Sequence, residues 1–372
     1  MVYQRRDFLP FSAESLRVRA NLEQSYVAWV EARRSASALP VSMYWVSKGD
    51  ADYLHVKENS QHSGTSLGRR SPLLEQQIQQ YQDEKMRAKE RIHALDNQVS
   101  ERAGLYRRLR LPSIPDRQAE ILRKLDIEGM LGVDLMVVGT NAFIAYELAA
   151  GVRFPTGNEE TEDFDMAWCR GTKASLLQYG SSQAPRKTLF SALKCLDASY
   201  QINPRKPYQA VNQTGYEVEL LAAPSTHPLP KNEPFEPMAT LIEQEWLLQG
   251  MPMSVVVATV RGRACPLYVP DPRWMALHKL WLSEKPQRNP AKKDKDLRQG
   301  YVLLDAVRHF LSDIYPLDID FVCDLPPELQ PIFNEWCRTR AFIPADGDNG
   351  NNAHNDNEFT DAEALPYPDQ DR

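Results

Sequence analysis

The stretch LMVVGTNAFIAYELAAG, residues 135–151, decides the fold. Its first four residues are consecutive apolar residues that predict a buried strand, and Gly139 predicts a tight turn after it. Residues 142–150 are good helix formers, and Gly151 predicts the end of that helix. Such a turn suits a phosphate group, because a glycine lets the backbone approach, the Thr140 hydroxyl can donate, and the helix N-terminus adds partial positive charge. The pattern is common in α/β proteins, so alone it indicates little beyond local structure.

Two later segments alternate acidic and apolar residues, TEDFDMAW at 161–168 and EVELL at 217–221. Side chains two residues apart in a strand point to the same face, so Asp163 and Asp165 are expected to project together. Neighbouring carboxylates repel each other unless a cation lies between them, and a glutamate of the second segment can supply a third carboxylate. Three such ligands suffice for magnesium, which keeps water and substrate phosphates in its shell. The first segment alone is more typical of an exposed edge strand that merely carries charges. The order of both segments after the turn favours a site for metal and phosphate.

These features, in this order, resemble the DNA polymerase beta superfamily of nucleotidyltransferases. More closely, the chain is similar to a bacterial family of predicted nucleotidyltransferase-fold proteins over roughly residues 40–315. The segments that carry the similarity are YWVSKGDADYLHV (44–56), SLGRRSPLLE (66–75), VVGTNAFIAYELAAGVRF (137–154), TEDFDMAW (161–168), GYEVELLAAP (215–224) and ALHKLWLSEKPQRNPAKKDKDLRQ (276–299). The resemblance implies an α+β fold with an α/β-type core, a polymerase beta-like mixed sheet with flanking helices, behind an N-terminal region of helices and a hairpin.

The resemblance also implies the roles of five residues. Gly139 and Thr140 would contact the triphosphate, and Asp163 and Asp165 would bind both metal ions. Glu219 matches the third carboxylate, where the superfamily usually has aspartate. The chain departs from the superfamily in three ways: Thr140 replaces the common serine, the turn and the first aspartate are 24 residues apart, and Glu219 is one methylene longer than aspartate.

Three lysines after this region, Lys279, Lys292 and Lys295, match family positions that would neutralise triphosphate charge. The alternative is that PAKKDKDLRQ is the start of an amphipathic, solvated helix. His278 lies between Leu277 and Leu280, and we expect it to be a hydrogen-bonded structural histidine rather than a metal ligand.

The function implied is transfer of a nucleoside monophosphate from an NTP to a hydroxyl acceptor, with two Mg²⁺ ions (Mn²⁺ is possible) as cofactors. The acceptor can be an RNA end, a protein or a small molecule. One alternative is a non-catalytic nucleotide-binding or scaffold module that assembles through its N-terminal helices. Another is a nucleic-acid-binding protein that uses the basic helix at 84–110.

The expected domain organisation has four parts. These are an N-terminal helical region with a β-hairpin and a long helix (1–111), a nucleotidyltransferase core (112–270), a C-terminal helical region (271–343) and a disordered acidic tail (344–372).

Other elements follow from local patterns. A helix is expected at 12–34 with Ser12 as N-cap and a buried stripe that includes Leu16 and Val27, and a hairpin at 43–57. The polar stretch 58–71 is expected to be a loop. Further expectations are a helix at 72–110 that can self-associate, helical structure after Pro115, strands at 164–168 and 216–221, a hairpin at 254–270 and helices over 273–315.

Composition excludes several classes. The net charge of −6 argues against non-specific coating of nucleic acid, and no stretch approaches the ~20 apolar residues of a membrane span. The start of the chain lacks the apolar core of a secretory signal. Five scattered cysteines predict neither a thiol-rich zinc site nor a disulfide framework, and they fit a reducing cytoplasm.

Overall fold

The computed structural model of the protein describes residues 1–58, 63–155, 173–178, 188–225, 231–236 and 242–345, and for 173–178 it describes the strand alone. Asp163, Asp165, the predicted strand at 164–168 and nearly all of the predicted tail lie outside these ranges. Within them, helices and sheets are mixed, and the fold class is α+β as predicted.

The helices of the described ranges are α1 (Ala13–Ser37), α2 (Pro72–Arg108), α3 (Asp116–Ile127), α4 (Phe143–Ala150), α5 (Leu189–Leu196), α6 (Ile242–Glu245), α7 (Pro272–Glu284), α8 (Pro290–Ala306), α9 (Ile319–Asp324) and α10 (Gln330–Thr339). The strands are β1 (Leu9–Pro10), β2 (Ser42–Lys48), β3 (Ala51–Lys57), β4 (Thr65–Arg69), β5 (Ser113–Ile114), β6 (Leu135–Val137), β7 (Val152–Arg153), β8 (Lys173–Gln178), β9 (Gln201–Asn203), β10 (Lys206–Val211), β11 (Glu217–Leu221), β12 (Met253–Thr259) and β13 (Ala264–Val269).

Most predicted elements are confirmed within a few residues. The deciding stretch forms β6, a short 3₁₀ turn over Gly139–Ala142 and α4, and the helix ends at Gly151 with φ of +68°. The predicted hairpins are β2–β3 and β12–β13, and the helices expected over 273–315 are α7 and α8 with a π-helical turn at Val307–Leu311. The predicted loop at 58–71 is wrong in part, because β4 pairs there with β3.

A five-stranded mixed sheet lies beside the deciding stretch, in the order β6-β8-β11-β10-β9. β6 runs antiparallel to β8, β8 runs parallel to β11, and β10 pairs antiparallel with both β11 and β9. A three-stranded sheet, β13-β12-β5, packs against α3 and α4. The side chains of α4 are buried on all sides, which requires that it lie between other elements rather than on the surface.

The N-terminal part is a hairpin of two long helices with a small sheet between them in sequence. Ser12 caps α1 as predicted, since the Ser15 backbone N–H donates to its hydroxyl (3.1 Å). Two residues assigned to the buried stripe of α1 are exposed, Leu16 (40%) and Val27 (45%), so that part of the prediction is wrong. The buried face of α1 does follow a helical period, through Ser15, Val18, Leu22, Ser25 and Trp29, and Leu16 and Val27 lie outside it.

A buried ion pair connects the C-terminal helices to the start of the chain. The Asp305 carboxylate in α8 accepts from the Arg340 guanidinium (Nη2–Oδ2 2.9 Å), from Trp336 Nε1 (2.9 Å) and from the Tyr3 backbone N–H (2.9 Å). The two charged side chains are almost completely buried. This carboxylate therefore joins α8, α10 and the N-terminal segment at one point.

Helices α7 and α8 pack unusually closely at Gly300. A Cβ atom at this position would lie 2.5 Å from Leu280 Cγ and 2.9 Å from the Ala276 carbonyl oxygen. A larger residue would push the helices apart, so the absence of a side chain sets their spacing. None of the helices in the described ranges combines the length and the apolar character needed to cross a membrane.

Candidate active site

The turn at Gly139 is open on its outer side. Gly139 has φ of +78°, a left-handed conformation that L side chains rarely adopt, and a Cβ atom there would meet no atom of the described residues within 4 Å. The glycine is therefore required by the backbone conformation and not by crowding. The turn and the start of α4 thus present a partly exposed Thr140 and free space in front of a helix N-terminus, the arrangement expected of a phosphate-binding turn.

This geometry yields a prediction with a matched control. Gly139→Ala is expected to destabilise the protein by roughly 1–2 kcal/mol because of its left-handed conformation. It should also weaken binding of magnesium–NTP about tenfold or more, comparable to one hydrogen bond to a charged group, because the methyl group fills the open space. Gly129, after α3, has the same conformation (φ of +72°) and equally open surroundings.

Gly129→Ala should show the same loss of stability and normal NTP affinity. Urea unfolding and isothermal titration calorimetry measure the two effects separately. Equal NTP affinity of both variants would contradict a phosphate-binding role for Gly139.

The strand register brings Glu219 to the same end of the sheet as this turn. Val137 pairs with Leu176, so Val138 continues towards Ser175, which is the partner of Glu219 on β11. Val138 and Glu219 therefore occupy one row across the sheet, two strand spacings or roughly 10 Å apart. Gly139 follows Val138 directly. The register therefore places Glu219 in the row of the sheet next to the glycine turn.

Glu219 belongs to a polar group on one face of the sheet. It is 7% exposed and shares that face with Glu217, two residues earlier. Gln209 Nε2 donates to Glu217 Oε2 (2.8 Å) and to Glu219 Oε1 (3.2 Å), and Asn203 Nδ2 donates to Gln209 Oε1 (2.7 Å), which orients the amide. The carboxylates of Glu217 and Glu219 lie on one face with one amide between them. Carboxylate oxygens are ligands of the kind that a hard divalent cation prefers.

Gln209 and Asn203 are polar residues of the site that were not predicted from the sequence. In the structure, KPYQAV and EVELL form a hairpin that places Gln209 opposite Glu219, and this hairpin was not predicted either. The other two predicted ligands, Asp163 and Asp165, lie outside the described residues. In the described part of the chain, no group of three His, Cys, Asp or Glu side chains is arranged to hold a metal ion.

Lys279 lies beside the start of α4. Its Nζ atom is 6.0 Å from the centroid of the Phe143 ring, the first residue of that helix, and it donates to Asp296 Oδ1 (2.8 Å). Arg288 contacts the other oxygen of the same carboxylate (2.6 Å). Lys279 is buried, and this burial lowers its pKa although the Asp296 charge opposes the shift.

The remaining predicted lysines extend this positive region. Lys292 is exposed and Lys295 is half-buried. Burial lowers the pKa of Lys295, and the neighbouring charges of Lys279 and Lys292 contribute to the same shift. Three lysines and Arg288 therefore surround one carboxylate, Asp296. The excess of positive charge lies next to the helix that begins at the glycine turn.

His278 packs as a structural residue, but not as predicted. Its ring stacks on Trp281 (centroids 6.1 Å apart, 26° between planes) and meets the edge of Trp246. Its Nδ1 atom is buried and has no hydrogen-bond partner among the described residues, so the predicted hydrogen bond is not formed at that atom. Burial lowers the pKa of His278 from 6.5 to about 3.

The low pKa of His278 predicts a loss of stability in mild acid. Between pH 6.5 and the folded-state value the unfolded chain binds a proton that the folded chain does not, so the free energy of unfolding falls as the pH falls. From pH 6.5 to about pH 5.5 the loss is up to about 1 kcal/mol. His278→Phe, which keeps a stacked ring, should lack this part of the pH dependence. Urea unfolding of the wild type and of the variant at the two pH values measures the change in the free energy of unfolding. An equal change in both proteins would contradict the role of His278 in the pH dependence.

A family model described as "Nucleotidyltransferase" matches residues 116–318, more than half of the chain. The protein therefore belongs to this nucleotidyltransferase family, whose general reaction is nucleotidyl transfer. Searches of curated proteins and of solved structures gave no match. The matched region contains the glycine turn, Glu219 and all three lysines.

Proposed function

We propose that the protein transfers a nucleoside monophosphate from an NTP to a hydroxyl acceptor, at a site formed where β6 meets α4. The observation that carries the proposal is that three of the predicted features lie near the start of α4. The glycine turn leads into it, Glu219 lies in the adjoining row of the sheet, and Lys279 lies 6.0 Å from the Phe143 ring. The mixed sheet in which β6 is antiparallel and β11 parallel to β8 supports a polymerase beta-like core at 112–270.

Each residue has a defined task in this proposal. The backbone at Gly139 and the Thr140 hydroxyl bind triphosphate oxygens, and Lys279, Lys292 and Lys295 offset the charge of the phosphates. These contacts orient the triphosphate so that the acceptor oxygen faces the α-phosphorus. The new bond forms there while the bond to the bridging oxygen breaks, and pyrophosphate leaves. Glu219 accepts the proton of the acceptor hydroxyl.

Magnesium is the proposed cofactor, with Asp163, Asp165 and Glu219 as its ligands. The chemistry of this donor set fits a hard cation, because all three are carboxylates and Glu219 lies beside Glu217 with a single amide donor between them. When bound, magnesium lowers the pKa of the acceptor hydroxyl and stabilises the charge of the pyrophosphate.

The direct test is label transfer. The purified protein is incubated with each α-labelled NTP and magnesium, alone and with total cellular RNA or lysate, beside the Asp163→Asn/Asp165→Asn variant. Label transfer that the variant lacks would support the proposal and would identify the acceptor. Absence of transfer together with absence of magnesium-dependent NTP binding would overturn it and favour a non-catalytic scaffold.

A further inference from the structure

The small N-terminal sheet has two faces of different character. The face that carries Leu54 (0% exposed) and Val56 (7%) packs against α2, where Ile78 and Tyr81 are buried. Because cross-strand partners point to the same side, the register defines the opposite face, which we call the outer face. Its aromatic and charged members are Tyr44, Lys48, Tyr53, His55, Lys57 and Arg69, and the register adds the smaller residues Ser42, Val46, Ala51 and Ser66.

The outer face carries aromatic rings at the spacing of a strand. Tyr44 is 40% exposed, and its ring stacks on that of His55 (centroids 5.9 Å apart, 29° between planes). Tyr53 lies two residues before His55 on the same strand, about 7 Å away. Tyr53 and His55 are half-buried, and His55 Nδ1 lies 3.3 Å from the Gly64 carbonyl oxygen, so Tyr44 is the most exposed of the three rings. An exposed ring on an antiparallel sheet is suited to stacking with an unpaired nucleic-acid base, which is how sheet-based RNA-binding domains hold single strands.

The charge of the outer face is positive. Lys48, Lys57 and Arg69 belong to it, and none of them forms an ion pair with another residue in the described ranges. The acidic side chain in the middle of the hairpin, Asp52, points to the other face, where it pairs with Arg70 (3.2 Å). The acidic residues near the outer face, Asp50 and Glu58, are confined to the turn and to the end of β3. Aromatic rings can stack on bases, and the three flanking cationic side chains can pair with phosphates, so this face suits a single strand of nucleic acid.

Helix α2 extends from the N-terminal sheet to the three-stranded sheet of the core. The Tyr81 hydroxyl donates to the Pro40 carbonyl beside the sheet (3.0 Å), and the same helix contacts the β12–β13 turn at Gly104. Tyr81 and Gly104 are about 35 Å apart along α2, at 1.5 Å per residue. That length corresponds to about ten stacked nucleotides.

We propose that the outer face binds a single-stranded nucleic acid and that this strand is the hydroxyl acceptor. The acceptor role rests on the proposed nucleotidyl transfer, whereas binding to the outer face does not. The net charge of the whole chain concealed this surface, because the positive charge is local.

The test is fluorescence anisotropy with labelled 20-nucleotide single strands of RNA and of DNA, without NTP or magnesium. The variant Lys48→Ala/Lys57→Ala/Arg69→Ala should bind at least about tenfold more weakly, and its slope of log affinity against log salt should fall by about 2. The matched control Arg87→Ala/Lys89→Ala/Arg91→Ala removes the same charge from the exposed surface of α2 and should bind normally. An equal loss in the control would overturn the proposal in favour of the basic helix.

A second pair of variants distinguishes the loss of ring stacking from the loss of charge and from misfolding. Tyr44→Ala should weaken binding about fivefold or more, whereas Tyr44→Phe, which keeps the ring, should bind as the wild type does. Loss of binding in both variants would overturn the stacking role.

Three further results decide the two proposals separately. The Asp163→Asn/Asp165→Asn variant should bind strands normally. Label transfer to a protein or small molecule without strand binding would overturn this inference and leave the proposed function standing. If the protein binds the strand but transfers the label to another acceptor, the strand is not the acceptor, and that part of the proposal is overturned.

Discussion

Replacing Glu219 by glutamine is expected to lower the rate of nucleotidyl transfer by roughly 10²–10³-fold while leaving the protein folded. Glutamine keeps the length of the side chain and an oxygen for the Gln209 amide, but it removes the negative charge. If Glu219 is a metal ligand and accepts the acceptor proton, the loss corresponds to about 3–4 kcal/mol of transition-state stabilisation. The buried position of Glu219 at the end of the sheet shared with Gly139 is the physical reason for this expectation.

Glu217 provides a matched control for this experiment. It lies two residues earlier on the same strand and face, accepts from the same Gln209 amide and is less buried. Because Glu219, and not Glu217, is the position that matches the third carboxylate of the family, Glu217→Gln should retain most of the activity. The rate of label transfer at saturating NTP and the circular dichroism spectrum of both variants are the measurements. A larger loss in Glu217→Gln than in Glu219→Gln would move the catalytic role to Glu217.

Asp305→Ala is expected to cause the largest loss of stability, about 3–5 kcal/mol, because it leaves the buried Arg340 guanidinium without its counter-charge. The variant also removes the acceptor for Trp336 Nε1 and for the Tyr3 backbone N–H. Urea unfolding followed by tryptophan fluorescence measures the change directly.

The pair Arg338–Glu335, one turn away in α10, is exposed and serves as the control. Glu335→Ala should change stability little, since exposed ion pairs contribute little. Replacing Asp305 and Arg340 together by apolar residues should recover part of the loss, because no isolated charge remains. A stability of Asp305→Ala close to that of the wild type would mean that the buried contact is not maintained in solution.

The elements nearest to the site were predictable because their patterns are local. The strand, glycine turn and buried helix of residues 135–151 follow from consecutive apolar residues and two glycines. The alternation of EVELL likewise identified β11 and placed Glu219. Strand β4 was missed because its sequence is polar and rich in glycine, and it becomes a strand only by pairing with β3.

The contacts between distant parts of the sequence were not predictable. Lys279 was identified as a candidate, but its ion pair with Asp296 depends on the close approach of α7 and α8. The partners of Asp305 come from both ends of the described chain, and no local pattern indicates them. The outer face of the N-terminal sheet also required the strand register, since its rings and cations alternate with residues of the other face.

The close packing at Gly300 has a consequence for the protonation of the site. The burial of Lys279 favours its neutral form, and the Asp296 carboxylate opposes that shift only while α7 and α8 remain in contact. A side chain at position 300 would separate the helices and lengthen the distance between the two charges. The same separation would admit water to Lys279 and so remove part of the desolvation that lowers its pKa. The close approach of the two helices at Gly300 therefore determines both the burial of the Lys279 ammonium group and its distance from the Asp296 carboxylate.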